Sequence, residues 1–176
     1  VVHETWVERE TKYKGRIFSL DVGKARLEDG TVAHREIVIH GGGVGVVPVF
    51  NDGVILVRQF RIATGKQVLE IPAGRLEPGE SKEDRARAEL EEETGYRAER
   101  LVHVSSCYCS PGFTSEMDHI YLAFGLTKTQ QNLEHDERVE IVELTFAQCR
   151  EMLDRCEFDD AKTIIGLREL FARGFA

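Results

Sequence analysis

The segment SKEDRARAELEEETG, running from Ser81 to Gly95, limits what this chain can fold into more than any other stretch. Ser81 can cap a helix, Asp84 stands three residues on as in a capping box, and Gly95 is the residue type that stops helices. Together they predict a helix over 82–94, the only strong helical pattern in the first two-thirds of the chain. On that helix Glu89, Glu92 and Glu93 fall at i, i+3 and i+4, so three carboxylates share one face. Like charges at this spacing repel, and an isolated helix gains nothing from them. Ala86 and Leu90, one turn apart, offer contact to a core. Grouped carboxylate oxygens suit Mg²⁺, which takes oxygen ligands octahedrally and shares them with phosphate and water. Most acidic runs are solvated faces. This one is bracketed by Pro72-Ala73-Gly74, by Pro78-Gly79 against Glu80, and by Gly95, a punctuation that a solvated face does not need.

The remainder of the 176 residues fits one domain with a small appendage. The first forty residues predict short antiparallel strands at 16–20, 24–27 and 32–39, with Asp29-Gly30 turning the last hairpin. Gly41-Gly42-Gly43 then breaks the chain, which suggests an N-terminal sheet over 1–42 and a main domain over 43–176. Further strands are expected at 44–50, 54–58, 67–71, 98–107, 119–124 and 139–144, and helices at 146–154 and 160–173. Strands flanked by helices imply an α+β or α/β sandwich. The net charge of −8, from 23 basic and 31 acidic residues, argues against nucleic acid or an anionic membrane as partner. A bound divalent cation can still reverse the local sign for an anionic small molecule. Cys107, Cys109, Cys149 and Cys156 lack metal-ligand spacing and read as free thiols, which suits a reducing cytoplasm. No apolar run has the length of a membrane span.

Gly74, Glu80, Glu89, Leu90, Glu92, Glu93, Gly95 and Tyr96 fall on the pattern G-x5-E-x7-R-E-U-x-E-E-x-G-U, and the chain resembles the Nudix hydrolases. That resemblance implies an α/β/α sandwich with a mixed sheet. It also implies that Glu89, Glu92 and Glu93 bind Mg²⁺ (Mn²⁺ as a substitute) with the backbone carbonyl of Ala73, while Gly74 and Gly95 support the loop–helix–loop. One position departs: Ala88 stands where the family has an arginine that pairs with the residue matching Glu80. Arg85, three residues earlier on nearly the same helix face, is expected to take over that pair, with Arg87 turned away.

Outside this box, Val57-Arg-Gln-Phe-Arg61, Leu69-Glu-Ile-Pro-Ala-Gly74 and the Tyr108–Phe113 segment with Pro111 and Glu116 are similar to ADP-ribose pyrophosphatases. The activity implied is Mg²⁺-dependent hydrolysis of ADP-ribose to AMP and ribose 5-phosphate. Arginine forks match phosphate oxygens, so Arg58 and Arg61 are candidate phosphate ligands; three apart, they do not share a strand face, and Arg61 is the better placed. The N-terminal strands resemble a sheet exchanged across a homodimer, which makes Arg35 and Glu36 candidate contacts to adenine or ribose and Phe18 a candidate stacking ring. For the base, the loop 133–140 offers Glu134, Asp136 and Glu137, with Glu137 favoured and Glu93 as substitute. Alternatives are another nucleoside diphosphate sugar or dinucleotide such as GDP-mannose, and a non-catalytic ligand sensor. A thiol enzyme built on Cys107 or Cys109 with His103 is a weaker third.

Overall fold

The computed structural model describes residues 3–133, 135 and 137–176. They form two compact units: the N-terminal residues through Gly42 with Tyr108–Met117, and Gly43–Cys107 with Asp118–Ala176. Among the described residues no helix is long and apolar enough to cross a membrane.

In the first unit, β1 (Thr5–Lys14), β2 (Phe18–Arg26) and β3 (Val32–His40) form an antiparallel sheet in the order β1-β2-β3. The hairpin expected at Asp29-Gly30 is present, with Gly30 at φ 85° and Thr31 N donating to Asp29 Oδ1 at 2.9 Å. Two sequence expectations change. β1 was not anticipated: all ten of its residues are exposed, so no burial imposes the alternation by which strands are recognised. β2 does not break at Asp21 and Gly23. Asp21 is 2% exposed and accepts from Arg9 Nε at 2.7 Å and Thr11 Oγ1 at 2.6 Å, which satisfies its charge within a strand. Gly23 pairs with Arg9, just past the register shift between Trp6 and Glu8, and a Cβ there would overlap the carbonyl of Glu8. The segment 108–117 runs beside β3, with Val38 N bonded to Phe113 O and Ser115 N to Val38 O.

The second unit holds β4 (Gly43–Phe50), β5 (Gly53–Arg61), β6 (Lys66–Glu70), β7 (Ala73–Arg75), α1 (Lys82–Thr94), β8 (Tyr96–Tyr108), β9 (Met117–Lys128), β10 (Glu140–Thr145), α2 (Phe146–Asp154) and α3 (Ala161–Ala172). The sheet runs β10-β5-β4-β9-β8, with β6 on β5 and β7 on β4. β4 pairs parallel with β9 and antiparallel with β5 and β7, the mixed sheet expected. β4 is buried on both faces, so it reads as a continuous apolar run. On one face Val44, Val46, Tyr121 and Ala123 pack against Ala86 and Leu90 of α1. On the other, Val47, Leu56, Ile71, Ile120 and Leu122 pack against Cys149 and Leu153 of α2 and Leu167 and Leu170 of α3. Helices thus cover both faces, and the fold class is α+β with a separate three-stranded sheet.

Candidate active site

The helix α1 spans the predicted residues. Ser81 Oγ accepts from Asp84 N at 3.3 Å, and Gly95 ends the helix at φ 71°, its N–H bonded to Glu91 O. Gly95 is needed there for a second reason: a Cβ would lie 2.8 Å from Gln131 N, where the 129–132 segment returns to bond Gly95 O and Glu92 O. The stretch Pro72-Ala73-Gly74, expected as a turn, is instead the entry to β7, with Ala73 paired to Gly45 and Gly74 to Val44.

The carboxylates are not a solvated face. Glu89 and Glu93 are 4% and 2% exposed, facing β7; Glu92 is partly open, its side chain 39% exposed. Gly74 makes room for the first of them, since a Cβ at that position would overlap Glu89 Oε1. Glu93 Oε2 accepts from Ala73 N at 3.0 Å, and Glu93 O accepts from Gln131 Nε2 at 2.7 Å. Burial pushes Glu89 up to about 7 against the pull of Arg85. Burial, then repulsion from Glu89, pushes Glu93 up to about 8. Two buried carboxylates held this high lack positive charge, and a hard divalent cation is what their oxygens can take. With Glu92 on the same helix face, the carboxylate oxygens are a donor set that fits a hard divalent cation. The three carboxylates do not all come within 4.8 Å of one another.

The position of Arg85 corrects a sequence expectation. Its guanidinium does not pair with Glu80, whose Oε2 accepts from Glu77 N at 3.1 Å. Arg85 instead bonds Glu89 one helical turn on and lies 3.5 Å from Glu92. An arginine four residues before a glutamate meets it directly on a helix, and that local geometry wins over the more distant loop carboxylate. Its Nε is buried without a hydrogen-bond partner among the described residues. Replacing Arg85 by Met is expected to lower the metal-free stability by about 1–3 kcal/mol, because Glu89 is left buried without its cation. The same change should enlarge the Mg²⁺-induced rise in melting temperature. Melts with and without Mg²⁺ check both, and equal shifts in parent and variant would count against the pairing.

Arg61 gives Nε and Nη2 to Glu70 at 2.7 and 3.0 Å, its Nη1 bonds none of the described residues, and it senses the charge of Glu93. Arg58 pairs with Glu140 at 3.0 Å across β5 and β10, so the two arginines serve different neighbours. Glu137 adds its charge to the fields raising both Glu89 and Glu93, whereas Glu134 and Asp136 lie outside the described residues. In the first unit, Arg35 forks Glu4 at 2.7 and 2.8 Å and lines a cavity of 380 Å³ with Trp6, Arg9, Ile37, Ile39 and Pro111. Glu36 is exposed and alternates with Arg35 and Ile37 along β3, hence belongs to the opposite face. Phe18 packs on Tyr13, ring centres 5.5 Å apart, and does not line that cavity; Trp6, which the sequence pattern leaves unmarked with the rest of β1, does. Glu116 Oε1 is 3.5 Å from His40 Nδ1. His103 contacts Ser106 and Tyr121, and burial, then the charge of Asp118, raises the Cys107 thiol, the opposite of what an activated nucleophile needs.

Residues 39–166 match the NUDIX domain. The chain is 38% identical to the ADP-ribose pyrophosphatase of Bacillus subtilis (strain 168), across 96% of this chain and 93% of that protein. It is also 38% identical to the methanol dehydrogenase activator of Bacillus methanolicus, across 95% and 92%. A solved ADP compounds hydrolase superposes with a TM-score of 0.85 at 24% identity, covering 98% of this chain and 97% of that one, a likeness of fold. The match spans most of the chain, including the helix that carries the buried carboxylates, and the chain belongs to the Nudix family.

Proposed function

We propose that this chain hydrolyses ADP-ribose, with Mg²⁺ as cofactor and Mn²⁺ able to substitute, giving AMP and ribose 5-phosphate. The observation that carries the reading is the pair of buried carboxylates, Glu89 and Glu93, set against Ala73 and Gly74 and short of positive charge. The substrate is chosen on the Bacillus subtilis relative, an ADP-ribose pyrophosphatase across nearly the full length.

Glu89, Glu92 and Glu93 with the Ala73 carbonyl would hold the metal. When bound, it neutralises charge on the phosphoryl oxygens and lowers the pKa of the attacking water. Water adds to one phosphorus, the bridging P–O bond breaks, and the proton of the water goes to a carboxylate. Glu137 is the favoured acceptor because its charge reaches both buried glutamates; Glu93 is the substitute. Arg61 presents Nη1 to a phosphate oxygen, and Arg58 is the weaker candidate for that role. Glu80 and Gly95 support the loops at either end of α1. For the nucleoside we assign Arg35 and Pro111 with Trp6 as the ring contact, leaving Glu36, Phe18 and Glu116 as secondary candidates.

The fully exposed β1 and the thin sheet it edges suit association with a second copy, so we assign the N-terminal segment to a homodimer interface. The four free cysteines suit a cytoplasmic setting. Incubation with ADP-ribose and Mg²⁺ should yield AMP and ribose 5-phosphate in equal amounts by chromatography. Turnover of GDP-mannose or NADH with none of ADP-ribose would move the substrate assignment, and binding without product would make the chain a sensor.

A further inference from the structure

A second set of buried charges lies beside the carboxylate helix, outside the Nudix box. Glu70, 3% exposed at its side chain, receives three charge-assisted bonds: Arg61 Nε and Nη2, and Lys162 Nζ at 2.6 Å. Lys162, 14% exposed, also reaches Asp160 Oδ1 at 2.8 Å. Asp160 caps α3, accepting from Thr163 N at 2.9 Å and Thr163 Oγ1 at 2.5 Å. Thr163 Oγ1 in turn accepts from Ile71 N at 2.8 Å, two residues before Ala73. The start of α3 is therefore tied to the end of β6, which carries Glu70, and to the short link from it to Ala73 at the start of β7.

This arrangement has a cost that stability alone does not explain. Burying a lysine and two carboxylates is expensive, and apolar groups of similar volume would hold α3 to the sheet as well or better. What the charges add is direction. Glu70 is shared between two cations, and Lys162 takes one of its oxygens, Oε2, together with Arg61 Nη2. The other oxygen, Oε1, is left to Arg61 Nε. With its fork held on that edge, Arg61 has Nη1 for an outside anion. Without the ammonium, Glu70 and Asp160 would have a single cation between them, and Arg61 would be drawn inward to serve both.

We propose that Lys162 is a positioning residue for substrate phosphate, acting through Glu70 to aim the free Nη1 edge of Arg61. The inference rests on the reading that this site binds a nucleoside diphosphate. Losing one charge-assisted bond to phosphate corresponds to a KM rise of about tenfold. Lys162→Met is expected to raise KM for ADP-ribose by that factor with kcat within about threefold, and Lys162→Arg to recover most of it. In an Arg61→Met background, Lys162→Met should change KM no further, whereas a merely structural role would make the two effects multiply. Multiplying effects, or an unchanged KM in Lys162→Met, would overturn the proposal. Should Lys162→Met fail to melt cooperatively, Lys162→Gln, which keeps a bond to Glu70, serves in its place. It should raise KM in the same direction by a smaller factor, and no rise would be equally decisive. The dissociation constant of ADP-ribose, measured by calorimetry without added metal, separates this idea from the activity. A parent that binds without turnover defeats the proposed reaction, and the same cycle is then read on binding; a parent that does not bind at all defeats both.

Discussion

Glu93→Gln is expected to lower diphosphate hydrolysis by about 10³-fold, the loss of several kcal/mol of charge stabilisation at the transition state, while making the metal-free protein more stable at alkaline pH. The two effects have opposite signs because they come from the same charge. Burial and the neighbouring Glu89 hold the Glu93 carboxyl at about 8, against an ordinary 4.5. A carboxyl raised in the folded state favours folding below 4.5 and loses that contribution as pH climbs through 8. The parent without metal should therefore lose a few kcal/mol between pH 5 and pH 9. Mg²⁺ should restore it, since a divalent cation offsets the buried charge. Glutamine carries no charge and still offers an oxygen to Ala73 N, so its metal-free melting temperature should fall less than the parent's over the same range, the remaining fall coming from Glu89 at about 7, and should respond less to Mg²⁺. Melts at several pH values with and without Mg²⁺, beside the rate at saturating ADP-ribose, measure all of this. A variant that keeps the parent's rate would remove Glu93 from the chemistry.

Gly74→Ala should also cost function, through space alone. Gly74 does not have a positive φ, so alanine is acceptable to its backbone. The added methyl, however, would occupy the position of the Glu89 carboxylate and come within 2.8 Å of its Cγ. Glu89 must swing away, breaking its bond to Arg85 and leaving its place opposite Glu93. Overpacking of this kind costs about 1–3 kcal/mol, and displacing a metal ligand should weaken Mg²⁺ binding by about 10- to 100-fold. Gly79→Ala provides the contrast. Gly79 has φ 83° with nothing within 4 Å of an added Cβ, so the variant should lose about 1–2 kcal/mol of stability and none of its Mg²⁺ affinity. Mg²⁺ titrations followed by thermal shift compare the two, and equal affinities would show that Glu89 does not depend on the Gly74 gap.

Most of the second unit was legible because its signals are local. The limits of α1 follow from Ser81 and Gly95, whose roles need only a few neighbouring residues. α2 was predicted to its ends, and α3 to within a residue at each end, Asp160 being its cap and not, as expected, its first residue. β4 could be read from its apolar run. The structure departs from the sequence reading where the local pattern is silent. β1 carries no alternation because neither face is buried, and with it Trp6 was missed as the ring beside Arg35. Glu36 and Arg35, adjacent in sequence and both candidate contacts, are sent by strand geometry to opposite faces of β3. Arg85 was assigned to Glu80 on helical proximity to the missing arginine, but a glutamate one turn away on the same helix is the nearer partner.

Residue identity and spacing by themselves determined the family resemblance, the helix and the common face of its three glutamates, since these depend on a repeat of 3.6 residues and on caps within one turn. Only the tertiary structure decided that Glu89 and Glu93 are buried and short of positive charge, that Gly74 is glycine to leave room for a carboxylate, and that Arg61, Glu70 and Lys162 form one network. Each of those facts joins residues far apart in the chain, and what a carboxylate will ionise against or bind depends on the groups that folding brings to within a few ångströms of it.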